Sequence, residues 1–368
     1  MPAFTGHTTG HAYARARELW EQLGFPSEFL GAPYGQSTYH AQRGEFDRAQ
    51  RLAEDLLRLS RQRNDSAGLV LSHFSAGRNL MFVGNLASSR SHLKQVLALC
   101  DPVSHHSIVH QAGIHPRVGS QAYLGAVLLC LGFPNRASAQ SQRAIAEAQR
   151  MAHPPSLAVS LSVGTLLLSL VGDDAALAER ADQLIAVTAE HGFPHWRASG
   201  TIFRGWTRVK NGDVAEGISL PRSGSIAYRA TGAELWMPRF NALLAAACEI
   251  AGHVEEAATL LDDALERVER TGERWFAAEL NRHKGRLLLR QGHSEAAEES
   301  YRRALSIAVE QEAKLWELRA AMSLARLRRD QGRRAEARDL LAPAYRWFTE
   351  GFDTPDLTEA KALLDELA

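Results

Sequence analysis

Apolar residues in this chain recur at spacings of three and four rather than two. The stretch NALLAAACEIAGHVEEAATLLDDALERVER, residues 241–270, shows the pattern on both sides of a central glycine. Such spacing places the apolar side chains on one stripe of a helix. Strand-like alternation is essentially absent, so the pattern predicts helices joined by short turns. The turns are evenly metered: Gly132, Gly172, Gly212, Gly252, Gly292 and Gly332 stand 40 residues apart, and Gly44 and Gly84 are earlier copies at the same interval. Between Gly84 and Gly132 the step is 48, and DPVSHHSIVHQAGIHP, residues 101–116, supplies the extra residues as an expected loop.

Five residues after the turn glycine comes a small residue: Ala49, Ser89, Ala137, Gly217, Ala257, Ala297 and Ala337, with Leu177 the exception. Nine after it, Leu93, Leu261, Tyr301 and Leu341 are large; twelve after it, Ala144, Gly224, Ala264, Ala304 and Ala344 are small again. The glycine supplies a left-handed cap to the first helix of a pair, and the small residues let the second helix lie close against it. Pro134, Pro155, Pro194 and Pro238 fall near expected helix starts, where a missing N–H costs little. Each pair buries its apolar face only against its neighbours, so the pairs should stack into a right-handed superhelix with a concave and a convex surface.

The glycine, the small residue and the large one resemble the second-helix half of the tetratricopeptide pattern, stretched to a longer unit. The expected fold is all-α: a tetratricopeptide-like α-α superhelix of about eight to nine helical hairpins with a period near 40 residues. The chain reads as a single array over 1–368, with an N-terminal helix and linker over 1–32, repeats over 33–352, and a capping helix over 353–368. Thr354 and Pro355 open that last helix as N-cap and first helical residue.

Composition narrows the partners. Apolar residues make up 45% of the 368, too many for disorder. Forty-two basic residues balance forty-two acidic ones, so no overall field draws the chain to nucleic acid or an anionic membrane. Cys100, Cys130 and Cys248 are odd in number and set among apolar neighbours, as expected of buried thiols in a reducing compartment. No run of 18 apolar residues and no secretory leader is evident, and the expected location is cytoplasmic.

Four stretches resemble one family more closely: residues 12–24 (AYARARELWEQLG), 192–218, 269–289 (ERTGERWFAAELNRHKGRLLL) and 324–367. They are similar to the C-terminal helical-repeat region of bacterial multidomain proteins that join a class III adenylate or guanylate cyclase to a P-loop ATPase. YRWFTEGFDTPDLTEAKALLDEL, residues 345–367, is the most specific match. The resemblance implies a sensing or partner-binding arm. The cyclase and ATPase domains are missing here, so the chain is expected to be either a separate regulatory subunit or the product of a truncated gene.

The sequence offers no catalytic centre. It holds no GxxxxGK[ST] to cradle phosphates, and no HExxH, GxSxG, GxGxxG or paired CxxC. No cofactor or metal is expected. His105, His106, His110 and His115 in the insertion are the nearest approach to a metal cluster, and a solvated histidine-rich loop explains them equally. Trp196, Trp206, Trp236, Trp275 and Trp316 read as packing between hairpins or as a stacking platform for a ligand.

With the turn glycines as a ruler, Arg78, Trp206, Arg239, Glu279, Arg282, Arg286, Arg319 and Arg326 should face the groove. The arginines suit bidentate capture of a carboxylate or phosphate. The alternative is a solvated face carrying ion pairs, such as Glu279 with Arg282 or Arg286. The expected function is therefore a non-catalytic interaction and regulatory module that holds a protein partner, for instance a cyclase or ATPase module, in its groove. The alternative is a small-molecule (inducer) sensor arm. An apolar edge on the helix over His11–Leu23 suggests a homodimer through the N-terminal end.

Overall fold

The structure is a computed structural model that describes residues 7–100 and 108–368. A single helix, α1 (His7–Gln22), leads through a 3-10 turn into the array. Eight hairpins follow: α2 (Gly31–Gln42) with α3 (Phe46–Arg63), and α4 (Ser66–Phe82) with α5 (Leu86–Leu99). The short α6 (Ile108–Ala112) then precedes α7 (Pro116–Cys130) with α8 (Pro134–Arg150), α9 (Pro154–Val171) with α10 (Asp174–Glu190), and α11 (Pro194–Lys210) with α12 (Val214–Ala230). The last three are α13 (Met237–Ile250) with α14 (Val254–Thr271), α15 (Ala277–Arg290) with α16 (Ser294–Glu310), and α17 (Lys314–Asp330) with α18 (Arg334–Arg346), closed by α19 (Pro355–Glu366). No strand occurs among the described residues.

The turn chemistry is what the sequence pattern requires. All eight metering glycines end a first helix at φ between +73° and +91°, where a side chain would be strained. The residue after the glycine then caps the second helix in several units: Asn85, Asp173 and Asp213 accept from the amides of Ser88, Ala176 and Glu216. Ala49, Ala137, Ala257, Ala297 and Ala337 are almost wholly buried. Gly217 shows why size matters there, since an added Cβ would lie 2.4 Å from the Val209 side chain and 2.7 Å from its backbone nitrogen.

The superhelix is wound tightly enough to close on itself, which corrects the expectation of one continuous trough. The amide of Glu234 donates to the carbonyl of Gln42 at 2.8 Å, and that of Trp275 to Phe82 at 3.1 Å. The Gln311 side chain lies over Gly84, and Arg136 pairs with Glu350 at 2.8 Å. Turns of the first three hairpins thus dock against the loops between the last hairpins. One apolar core runs through this junction from Trp20 to Trp316. Trp236, Trp275 and Trp316 recur one unit apart and pack in series, with ring centroids 5.3 and 6.4 Å apart. Trp275 and Trp316 are fully buried, so those two are packing residues.

Three local expectations change. His105 and His106 lie outside the described residues, while part of the insertion is helical (α6) and His115 is buried, its amide held by Ser156 at 2.8 Å. Thr354 does precede Pro355 at the start of α19, but its hydroxyl donates to the Gly351 carbonyl instead of capping the helix. Although no strictly apolar run of 18 exists, α9 is long and apolar enough to cross a membrane when its serines, threonine and glycine are averaged in. It packs among α7, α8, α10 and α11, and 61% of it is buried.

Candidate functional site

The self-contact divides the inner wall into two spaces. The larger is a trough of about 610 Å³ lined by the first helices of the later hairpins, α11, α13, α15 and α17, with the end of α9 and the start of α19 closing it. Seven of the eight residues placed by the glycine ruler line it: Trp206, Arg239, Glu279, Arg282, Arg286, Arg319 and Arg326. Arg78 does not. It lines the other space, bounded mainly by the early hairpins with α11 and α12 opposite, because the winding carries the early hairpins to the far side of the junction.

Helical spacing builds the trough. Glu279, Arg282, His283, Arg286 and Arg290 fall on one face of α15, and Arg319, Met322, Ser323 and Arg326 on one face of α17. Lys210, Arg290, Glu249, Asp356 and Glu359, which the ruler did not single out, also line it. Arg290 was readable as the next position on the Arg286 face. Asp356 and Glu359 belong to a helix outside the repeat and carried no signal.

Most of the cations already have carboxylate partners. Arg282 bonds Glu279 at 2.6 and 2.9 Å, and Arg286 and Arg290 share Glu249 at 2.6 and 2.9 Å. Arg326 reaches Glu359 at 2.6 Å, and Arg319 reaches both Glu279 and Asp356. The Glu279–Arg282 ion pair of the alternative reading is therefore present, whereas Arg286 pairs one unit back. Burial would raise the Glu279 carboxyl, but the guanidiniums of Arg282 and Arg319 overcome it and hold the group well below the usual carboxylate range.

Seven cationic side chains nonetheless line the trough with four carboxylates, and a fifth, Asp174, pairs with Lys210 at 3.4 Å, leaving an excess of two positive charges. The least compensated of them is Arg239. It is 5% exposed, donates a single hydrogen bond to the Ser169 hydroxyl at 3.2 Å, and stacks on Phe276 at 4.9 Å. Its Nε has no partner, no carboxylate among the described residues touches it, and burial pulls its pKa down against the opposing attraction of Glu279, whose oxygens Arg282 and Arg319 already hold. A buried charge left this way is unfavourable unless an anion completes it. The donor set, several guanidiniums on one concave wall, suits bidentate recognition of carboxylate or phosphate.

One other group among the described residues has metal-like composition: Cys248, His253 and Glu256, with ligand atoms within 4.8 Å of one another. Arg222 already occupies Glu256 at 2.5 Å, and burial pushes the Cys248 thiol up to about 11, which opposes the thiolate a metal needs.

No family model matches the chain. An uncharacterized protein of Rhizobium meliloti (strain 1021) is 28% identical over 208 residues, which cover 55% of this chain but 20% of that protein. The match thus takes in about a fifth of the relative's length. Among solved structures, a Rap protein complexed with Competence and Sporulation Factor superposes with a TM-score of 0.59 at 12% identity, covering 93% of this chain and 98% of that one. A signal transduction ATPase with numerous domains from Pyrococcus horikoshii, which carries a tetratricopeptide repeat sensor, gives 0.43 at 13% identity over 99% of this chain and 55% of that one. A tetratricopeptide repeat protein from Parabacteroides merdae gives 0.43 at 12% identity over 81% and 98%. The fold is a tetratricopeptide-like helical solenoid.

Proposed function

We propose that this chain is a non-catalytic interaction and regulatory module of a bacterial signalling protein, acting in the cytoplasm, and that its trough captures an acidic segment of a protein partner. The observation that carries the reading is Arg239, a buried guanidinium that no carboxylate touches among the described residues, in a wall whose cations outnumber the carboxylates paired with them. A peptide carboxylate entering the trough would gain charge-assisted hydrogen bonds and relieve that burial at once. The fold supports the reading too, since a Rap protein of the same architecture has been solved with a bound factor. The partner class that the sequence resemblance implies is a cyclase or ATPase module.

The test uses a fluorescein-labelled acidic decapeptide rich in Glu and Asp, with a Lys-rich decapeptide as control, read by fluorescence anisotropy. The acidic peptide should bind and weaken with salt. Arg286→Glu with Arg290→Glu should weaken it about tenfold or more; the change also strips Glu249 of both partners and lowers the melting temperature, so binding is read well below the melting temperature of the variant. Equal binding of both peptides, or indifference to the reversal, would overturn the reading.

A further inference from the structure

The second space on the inner wall, on the other side of the junction, differs in kind from the trough. It is a cavity of about 290 Å³ between α1, α2, α4, α6 and α7 on one side and α9, the start of α11, the end of α12 and Trp236 on the other. Its walls are aromatic, with Tyr34, Tyr123, Phe193, Trp196, Tyr228 and Trp236 among them. Among the described residues no aspartate or glutamate lines it, and apart from the imidazoles of His110 and His195 the one basic side chain is Arg78.

Arg78 is 5% exposed. Its terminal nitrogens both reach Thr38 Oγ1 at 3.4 Å, and one reaches Asn79 Oδ1 at 3.4 Å; the Tyr34 hydroxyl lies beside it. Every one of these acceptors is neutral, each measured bond is at the long limit, and Nε has no partner. No carboxylate among the described residues pairs with it. A protein gains nothing in stability from a buried, uncompensated guanidinium at the wall of an otherwise aromatic cavity. An anion that brings an apolar ring would satisfy the charge and fill the space together.

Size decides between a peptide and a small molecule. The volume sits at the low edge of the roughly 300–1,000 Å³ typical of small-molecule sites and equals about ten waters at roughly 30 Å³ each. That matches a one- or two-ring acid, whereas a folded peptide is too large to enter. We propose that this cavity binds a small aromatic carboxylate, its acid group on Arg78 and its ring among the tyrosines and tryptophans. The site shares no residue with the trough, so either assignment stands if the other falls.

The experiment titrates the full chain with benzoate, phenylacetate and indole-3-acetate, against phenylacetamide, indole and inorganic phosphate, by calorimetry and by tryptophan fluorescence. At least one aromatic acid should bind and raise the melting temperature, with its neutral counterpart about tenfold weaker or worse. Arg78→Met should abolish acid binding. Ser162→Phe, which fills the cavity without touching the charge, should abolish it as well, and Arg290→Glu in the trough should leave it intact. The proposal is overturned if none of the acids binds at about 5 mM, if the amide binds as tightly as the acid, or if Ser162→Phe binds normally. Phosphate binding as well as the aromatic acids would also overturn it, since an anion site without ring recognition is a different site.

Discussion

Arg319 on α17 holds Asp356 on α19 through two parallel hydrogen bonds of 2.8 and 2.7 Å. The same guanidinium reaches Glu279 on α15 at 3.1 Å and the carbonyl of Leu170 at the end of α9. One side chain therefore joins the terminal helix, the last two hairpins and a turn from the middle of the array. The fork geometry of arginine makes this possible, because its five donors lie in one plane and lysine would supply only a point charge.

Cutting that connection should be costly. Asp356→Ala leaves Arg319 largely buried with part of its charge uncompensated, and loss of one partner of such a pair typically costs about 3–5 kcal/mol. Urea unfolding of the variant should show the loss. In a double-mutant cycle with Arg319→Met, the two changes should cost much less together than the sum of the singles. Additive losses would mean that the bond contributes nothing specific.

Glu273 makes a pH prediction. It is 1% exposed, and burial pushes its carboxyl up to about 8 despite hydrogen bonds from the Trp236 amide and the Trp275 indole. Its folded value thus lies above its unfolded value of about 4.5, so the folded chain holds the proton more tightly. Its contribution to stability is complete below about 4.5 and is lost as pH rises through about 8. Melting temperatures of the native chain should fall across that window relative to Glu273→Gln, which cannot titrate. Parallel profiles for the two proteins would contradict the assignment.

The hairpins were legible because their determinants are local. A glycine at positive φ, a capping Asn or Asp and a small residue one turn further along act within a dozen residues. The ruler also says which face of a helix turns inward, and the residues it picks on α15 and α17 line the trough. It cannot say which hairpins meet across the spiral, because that depends on a small rotation per unit accumulated over the array. Arg78 was therefore grouped with residues from which the closing contacts separate it. The ion pairs held one further signal: Arg319 with Glu279, Arg290 with Glu249 and the Trp316 indole with Trp275 are separated by 40, 41 and 41 positions. Searching for opposite charges one period apart would have found the first two.

Gly217→Ala sets two effects against each other. Alanine favours a helix interior over glycine by about 1 kcal/mol, which argues for stabilisation. The new Cβ, however, would meet Val209 at 2.4 Å and its backbone nitrogen at 2.7 Å, and overpacking typically costs about 1–3 kcal/mol. A net loss of about 1 kcal/mol is expected, because a backbone atom on a packed helix cannot step aside. Ala297→Leu, at a fully buried site, should lose more. Thermal unfolding of both variants checks the order.

The N-terminal end exposes Leu19, Leu23 and Phe29 at 43%, 67% and 56%. We expect self-association through this edge, since all three fall within eleven residues of chain at the end of α1 and the 3-10 turn. Sedimentation at rising concentration should show a dimer that Leu23→Ser with Phe29→Ser dissociates. A monomeric mass for the native chain throughout would remove the dimer from consideration.

Arg239 and Arg319 line the same trough, yet replacing each by methionine should move stability in opposite directions. Arg319 has two carboxylate partners, so Arg319→Met strands Asp356 and weakens the hold on Glu279. Arg239 has none, and methionine keeps its length and its contact with Phe276 while removing a desolvated charge. Arg239→Met should therefore melt at the same temperature or higher, where Arg319→Met melts lower. A residue kept at a cost to folding is retained for what it holds, so the acidic decapeptide should bind Arg239→Met about tenfold more weakly, with a smaller dependence on salt. Should Arg239→Met lose as much stability as Arg319→Met and bind the peptide unchanged, the guanidinium is a structural element of the wall and the trough loses its central argument.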